Sequence, residues 1–116
     1  MILPNAANAI IEQEKVVDYL LNATHPDNGG KAAFFNRLGF SPDDWVFFAN
    51  ALRQVALNHD CVGQIASPFG IKYIVDGLLA GKGQNEGIVR TIWISEPHLP
   101  APRLVTAYPV GRMVVS

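Results

Sequence analysis

The hydrophobic period of this chain changes once, near residue 62, and that change decides what it can fold into. Before it, apolar residues recur at helical spacing, with Trp45, Phe48, Leu52, Val55 and Ala56 on one broad face. After it they alternate in short runs bounded by turn formers. VGQIAS (62–67), GIKYIVDGLLA (70–80), VRTIWIS (89–95) and RLVTAYP (103–109) are four strand candidates. Helices and strands are therefore segregated along the chain, which predicts an α+β domain: about three N-terminal helices packed on a four-stranded antiparallel sheet. The connections are short. GKGQNEG (81–87) suits a hairpin loop and EPHLPAP (96–102) a proline-rich link, so the sheet is expected to be a meander covered on one face. A length of 116 residues fits a single domain, with a helical half at about 8–59 and a sheet half at about 62–110.

Within the helical half, Asn8 is a candidate cap for a first helix carrying Ile10, Ile11, Val17, Leu20 and Leu21, which should stop between Asn22 and His25 ahead of Pro26. PDNGG (26–30) is a turn signal, KAAFFNRL (31–38) a short second helix, and Gly39 its terminator. SPDDW (41–45) opens the third helix. Ser41 is a good cap, Pro42 fits the first helical position, and Asp43 and Asp44 complement the helix dipole.

Composition narrows the function. A formal net charge of −1 argues against broad coating of nucleic acid, which needs a field of cations, while leaving room for a small basic cluster. The single cysteine, Cys61, excludes an intramolecular disulfide and has no partner at metal-ligand or redox spacing. MILPNAANAII lacks the features of a signal peptide and no run reaches the length of a membrane span, so a cytoplasmic protein without membrane contact is expected. His25, His59 and His98 are too scattered for a metal site, and GKG and DNGG lack the context of a phosphate loop. No metal or cofactor is expected. Trp45 and Trp93 read as core anchors.

Three places hold polar residues that packing alone leaves unexplained. In HPDNGGK (25–31), His25 and Lys31 flank a turn and suit an anion, with the backbone N–H groups of the second helix beside them; helix-end solvation accounts for the same pattern. Lysine at a helix start opposes the dipole, so Lys31 stands out. In RLVTAYP, strict alternation with Leu104 facing the core puts Thr106 and Tyr108 on that same side, lining a cleft, and puts Arg103, Val105 and Ala107 on the other. Threonine and tyrosine are also ordinary strand residues. Lys72, Tyr73 and Arg90 read as sheet positions, the two cations on a solvent face.

The ordered set LPNA, DYLLN, His25 followed by GGKAAFF, GIKYIVDG, a tryptophan-containing strand and RLVTAYP resembles a small bacterial domain family of about this length. That family in turn resembles the BECR-type ribonucleases, the barnase, EndoU, colicin and RelE superfamily. The resemblance implies a BECR-like fold and metal-independent RNA cleavage by attack of a ribose 2′-hydroxyl on the adjacent phosphate. It assigns His25 as general base or acid, Lys31 to the phosphorane charge, Thr106 to a phosphate oxygen, and Tyr108 to a base or a proton. Arg103, on the far face by alternation, is a poorer choice for a flanking phosphate. The resemblance further implies a toxin held by a small cognate antitoxin or immunity protein, hence a homo- or hetero-oligomer. The competing expectation is a non-catalytic interaction module, the antitoxin-like or scaffold member of such a pair.

Overall fold

The computed structural model describes residues 1–26 and 30–115, with side chains to residue 110. The turn expected at PDNGG centres on residues 27–29, outside the described residues. The first helix begins later than Asn8 suggests. Asn8 ends a 3-10 turn, Ala6–Asn8, and its amide donates to Asn5 Oδ1 instead of capping a helix. The reason lies downstream: Ile10 is taken by a parallel bridge to Arg103, donating to the Pro102 carbonyl and accepting from the Leu104 N–H. Helix α1 therefore starts only at Gln13–Lys15 and runs on as a π turn, Val16–Leu20, closed by Leu21 N–H to the Val16 carbonyl at 2.8 Å. Helix α2 is Lys31–Arg37, ended at Gly39, whose φ of 98° a side chain would resist. As SPDDW predicts, a 3-10 turn at Pro42–Asp44 leads into α3, Trp45–Asn58. Ser41 has the extended cap conformation, without a side-chain cap bond.

The sheet is an antiparallel meander in the order β1-β2-β3-β4: Cys61–Ser67, Gly70–Ala80, Asn85–Ser95 and Arg103–Val115. Strand β2 has the bounds its sequence suggests. Strands β3 and β4 are longer, because Asn85, Glu86 and Gly87 leave the expected loop to pair with β4 and cut the hairpin loop to 81–84. Residues Tyr73, Val75, Leu79, Val89, Trp93, Leu104 and Ala107 turn to the helices, where they meet Leu20, Phe35, Phe48, Leu52 and Val55 in one core. Trp93 is fully buried, whereas Trp45 only borders the core. Thr91, also fully buried, is satisfied on both sides: its hydroxyl donates to the Val75 carbonyl and accepts from Trp93 Nε1, each at 2.8 Å.

Strand β4 departs from strict alternation. The β3–β4 register pairs Trp93 with Leu104 but Ile92 with Thr106, so Val105 is an extra residue, a bulge. Leu104 and Ala107 both face the core, and Thr106 and Tyr108, paired with Ile92 and Arg90, belong to the opposite face. The expectation that Leu104, Thr106 and Tyr108 share a side is thereby corrected, and so is the grouping of Ala107 with Arg103. The same slip brings Arg103, paired with Ile94, onto the face of Thr106.

Candidate functional site

The bulge of edge strand β4 is where the helical layer meets the sheet. Lys15, in α1, donates to the Val105 carbonyl at 2.9 Å. Lys31, the first residue of α2, reaches Thr106 Oγ1 at 3.4 Å. Two ammonium groups thus grip consecutive bulge residues from two different helices. The position of Lys31 against its own helix dipole is explained by this inward turn of a half-buried side chain.

Lys31 is the hub. Its Nζ donates to the Tyr19 hydroxyl at 2.7 Å and lies 4.8 Å from the Tyr19 ring centre and 5.9 Å from that of Tyr108. An ammonium has three N–H groups, and among the described residues two of them are taken. Tyr19 comes from the π turn, a local widening of the helix that recurs at functional sites. The His25 and Tyr19 rings meet in a T-shaped contact, 4.9 Å between centroids and 88° between planes. An Asx turn sets the approach to His25: Asn22 Oδ1 accepts from the Thr24 N–H and hydroxyl, and the His25 N–H donates to the Asn22 carbonyl.

On the sheet side, Tyr108 leads to a second pair. Arg90 donates from Nε and Nη2 to the two oxygens of Asp76, both at 2.8 Å, across the β2–β3 register. This forked pairing with Asp76, and then the Tyr108 hydroxyl, holds the Arg90 guanidinium above its usual range. Arg90 is accordingly no isolated solvent-face charge. A connected polar row runs Asp76, Arg90, Tyr108, Lys31, Tyr19, His25, from the open sheet face to the end of the helical layer.

All four candidates, His25, Lys31, Thr106 and Tyr108, belong to this one cluster, although they come from a loop, a helix and a strand. Tyr19, Lys15 and Asp76 join it unannounced, and Arg90 joins it from the sheet positions that the sequence placed on a solvent face. DYLLN shows Tyr19 only as a polar tip among leucines, and no spacing rule links it to Lys31 twelve residues on. Arg103 stands apart, paired with Glu96 and with Glu12 at 3.8 Å. His59 packs its ring over Gly77, and His98 sits in the 96–102 link with a φ of 71°. Burial pushes the Cys61 thiol above its ordinary range. Among the described residues, no group of His, Cys, Asp and Glu side chains could hold a metal ion, and no helix is long and apolar enough to cross a membrane. One groove lies beside Phe47, Ala51 and Leu78 without a titratable side chain; another adjoins the bulge along Glu12, Lys15 and Arg103.

Comparison with known proteins adds two findings. A family model described as "Domain of unknown function (DUF6883)" matches residues 2–111, so the chain belongs to that family. No curated protein sequence matches it. A solved chain from a "Contact-dependent growth inhibition toxin - immunity protein complex from Klebsiella pneumoniae 342" superposes with a TM-score of 0.74 at 17% identity, over 93% of this chain and 98% of that one. At that identity the likeness is one of fold.

Proposed function

We propose that this DUF6883 domain is the toxin member of a two-protein growth-inhibition system, a BECR-type, metal-independent endoribonuclease held in check by a small cognate partner. The observation that carries the reading is Lys31 Nζ, set between the hydroxyls of Tyr19 and Thr106, with the Tyr108 ring 5.9 Å away and His25 packed on the Tyr19 ring. A phosphodiester seated at Thr106 would meet one ammonium and one hydroxyl donor. Both stabilise the extra negative charge of a pentacoordinate phosphorane more than that of the ground state.

In the proposed reaction, His25 takes the proton from the ribose 2′-hydroxyl as the 2′-oxygen bonds to phosphorus. The bond from phosphorus to the 5′-oxygen breaks, and that oxygen takes the phenolic proton of Tyr108; the phenolate regains a proton from solvent as the imidazolium of His25 releases its own to solvent. The products carry a 2′,3′-cyclic phosphate and a 5′-hydroxyl. Histidine is the side chain used most often for general acid–base work. Arg90, fixed by Asp76, keeps the Tyr108 hydroxyl in place. The fold shared with a chain of a toxin–immunity complex supports a cognate protein partner.

A second reading has its own support. Strand β1 is an edge whose sequence, CVGQIAS, carries no charge, and Val62 and Ile65 are 61% and 53% exposed. Charged residues and prolines are the usual guards of such edges. This favours a non-catalytic interaction module that pairs with a neighbour through β1. Expression of the wild type beside His25→Ala separates the two. The toxin reading expects growth arrest with cyclic-phosphate RNA ends, both lost in His25→Ala while the circular dichroism spectrum is kept. Growth arrest that survives in His25→Ala takes His25 out of the mechanism, and a wild type that inhibits nothing favours the binding module.

A further inference from the structure

The groove beside the bulge has features that the proposed reaction does not use. It measures about 490 Å³, within the range of small-molecule sites, and Glu12, Lys15, Phe69, Lys72, Glu96 and Arg103 line it. Its wall continues through Leu104 and Val105, which leads directly to Thr106. Arg103 and Thr106 share the open face and stand three residues apart on β4, about 10 Å of strand.

The chemistry of the lining is specific. Phe69, at the tip of the β1–β2 hairpin, is 76% exposed and lines the groove with its ring open to solvent. Its turn is held by Ser67, whose hydroxyl accepts from the Phe69 N–H and donates to the Gly70 carbonyl. Lys72 makes no ion pair with any described residue. Arg103 engages both Glu12 and Glu96, so the charged lining carries one positive charge in excess, and neither Lys15 nor Lys72 is ion-paired with a described residue. An aromatic ring open on its face, two ammonium groups, and carboxylates with acceptor oxygens to spare are the parts that recognise a nucleotide. The ring stacks a base, the cations take a phosphate, and the carboxylates accept from exocyclic amino groups.

We infer that this groove is a nucleotide subsite: it binds the single-stranded RNA nucleotide next to the scissile phosphate, with Phe69 stacking its base and Lys72 contacting its phosphate. The inference rests on the ribonuclease reading and supplies it with a substrate class, unpaired RNA whose base is free to stack. It also accounts for a nearly neutral protein acting on RNA. The cations are few, but Lys15 and Lys72 line one groove, and Lys15 and Lys31 hold the neighbouring residues Val105 and Thr106 at its end.

The test is binding of a fluorescein-labelled 2′-O-methyl hexaribonucleotide, which cannot be cleaved by 2′-hydroxyl attack, followed by anisotropy. Phe69→Ala and Lys72→Gln alter exposed or half-exposed side chains, and their thermal midpoints report that the fold is kept. Phe69→Ala is expected to weaken binding about 5- to 150-fold, the usual worth of one stacked base. Lys72→Gln should weaken it and lower the salt slope by about 0.7, the value for one phosphate on a single strand. Both variants binding as the wild type does overturns the subsite, while RNA cleavage by the wild type then still upholds the ribonuclease. No binding by a wild type that cleaves RNA also overturns it. Neither binding nor cleavage removes both.

Discussion

The bond pair at Thr91 gives a prediction whose size can be worked through. Thr91→Val keeps the shape but removes the hydroxyl that accepts from Trp93 Nε1 and donates to Val75. Trp93 is completely buried, so its N–H would have no water to turn to. An orphaned buried donor costs about 1–3 kcal/mol and the second lost bond about 1 kcal/mol, against which the added methyl returns up to about 1 kcal/mol. These contributions span about 1–4 kcal/mol, and the middle of that span, about 2–3 kcal/mol, is the expected loss. At roughly 2.1 cal/mol/K per residue, a chain of this size unfolds with an entropy of about 0.24 kcal/mol/K, so the midpoint should fall by about 8–12 °C. Urea and thermal unfolding, with Thr91→Ser as the control that keeps the oxygen, provide the assay. Thr91 pairs with Ala107, between Thr106 and Tyr108, so the same bonds steady the strand that carries the site. A Thr91→Val protein within 0.5 kcal/mol of wild type, by the criterion of ordinary surface changes, would refute the reasoning.

Three further outcomes follow from single contacts. Tyr19→Phe removes the nearest partner of Lys31 and should lower the RNA cleavage rate by up to about 100-fold with the fold intact; an unchanged rate would remove Tyr19 from the site. A Cβ at Gly81 would run into the Leu38 carbonyl at the end of α2, so Gly81→Ala should cost about 1–3 kcal/mol in urea unfolding, and a neutral result would mean that the 81–84 loop yields freely. Because burial raises the Cys61 pKa, its thiolate fraction at pH 8 is smaller in the folded than in the unfolded protein. Iodoacetamide should then label native Cys61 more slowly than urea-unfolded Cys61, and equal rates would contradict the burial argument.

Much of the fold is legible in local chemistry. SPDDW marks the start of the third helical segment because an extended Ser41, a proline at the first position and two acids fall within one turn, and β2 has the bounds of its alternating run. What stays hidden depends on distant partners. Asn8 looks like a helix cap, but Ile10 pairs with Arg103, and that bridge delays α1 to Gln13. Alternation assigns Thr106 to the core side, and a single bulge at Val105 reverses it, since an inserted residue leaves no mark in a period of two. Thr106 nonetheless meets Lys31, because edge strand β4 is reached at the bulge by that side chain from α2. Tyr19 needed the π turn, and Arg90 needed Asp76 opposite it, neither of which a residue pattern encodes.

The central claim is that the Lys31 cluster cleaves RNA. Its most direct measurement is the cleavage rate of end-labelled RNA pools by purified, partner-free protein in EDTA, beside Lys31→Met. The account predicts cleavage by the wild type, with 2′,3′-cyclic phosphate ends, and a loss of about 100-fold or more in the variant, as when a transition-state donor is removed. Equal rates for the two proteins, or no cleavage of any pool by the wild type, would contradict it.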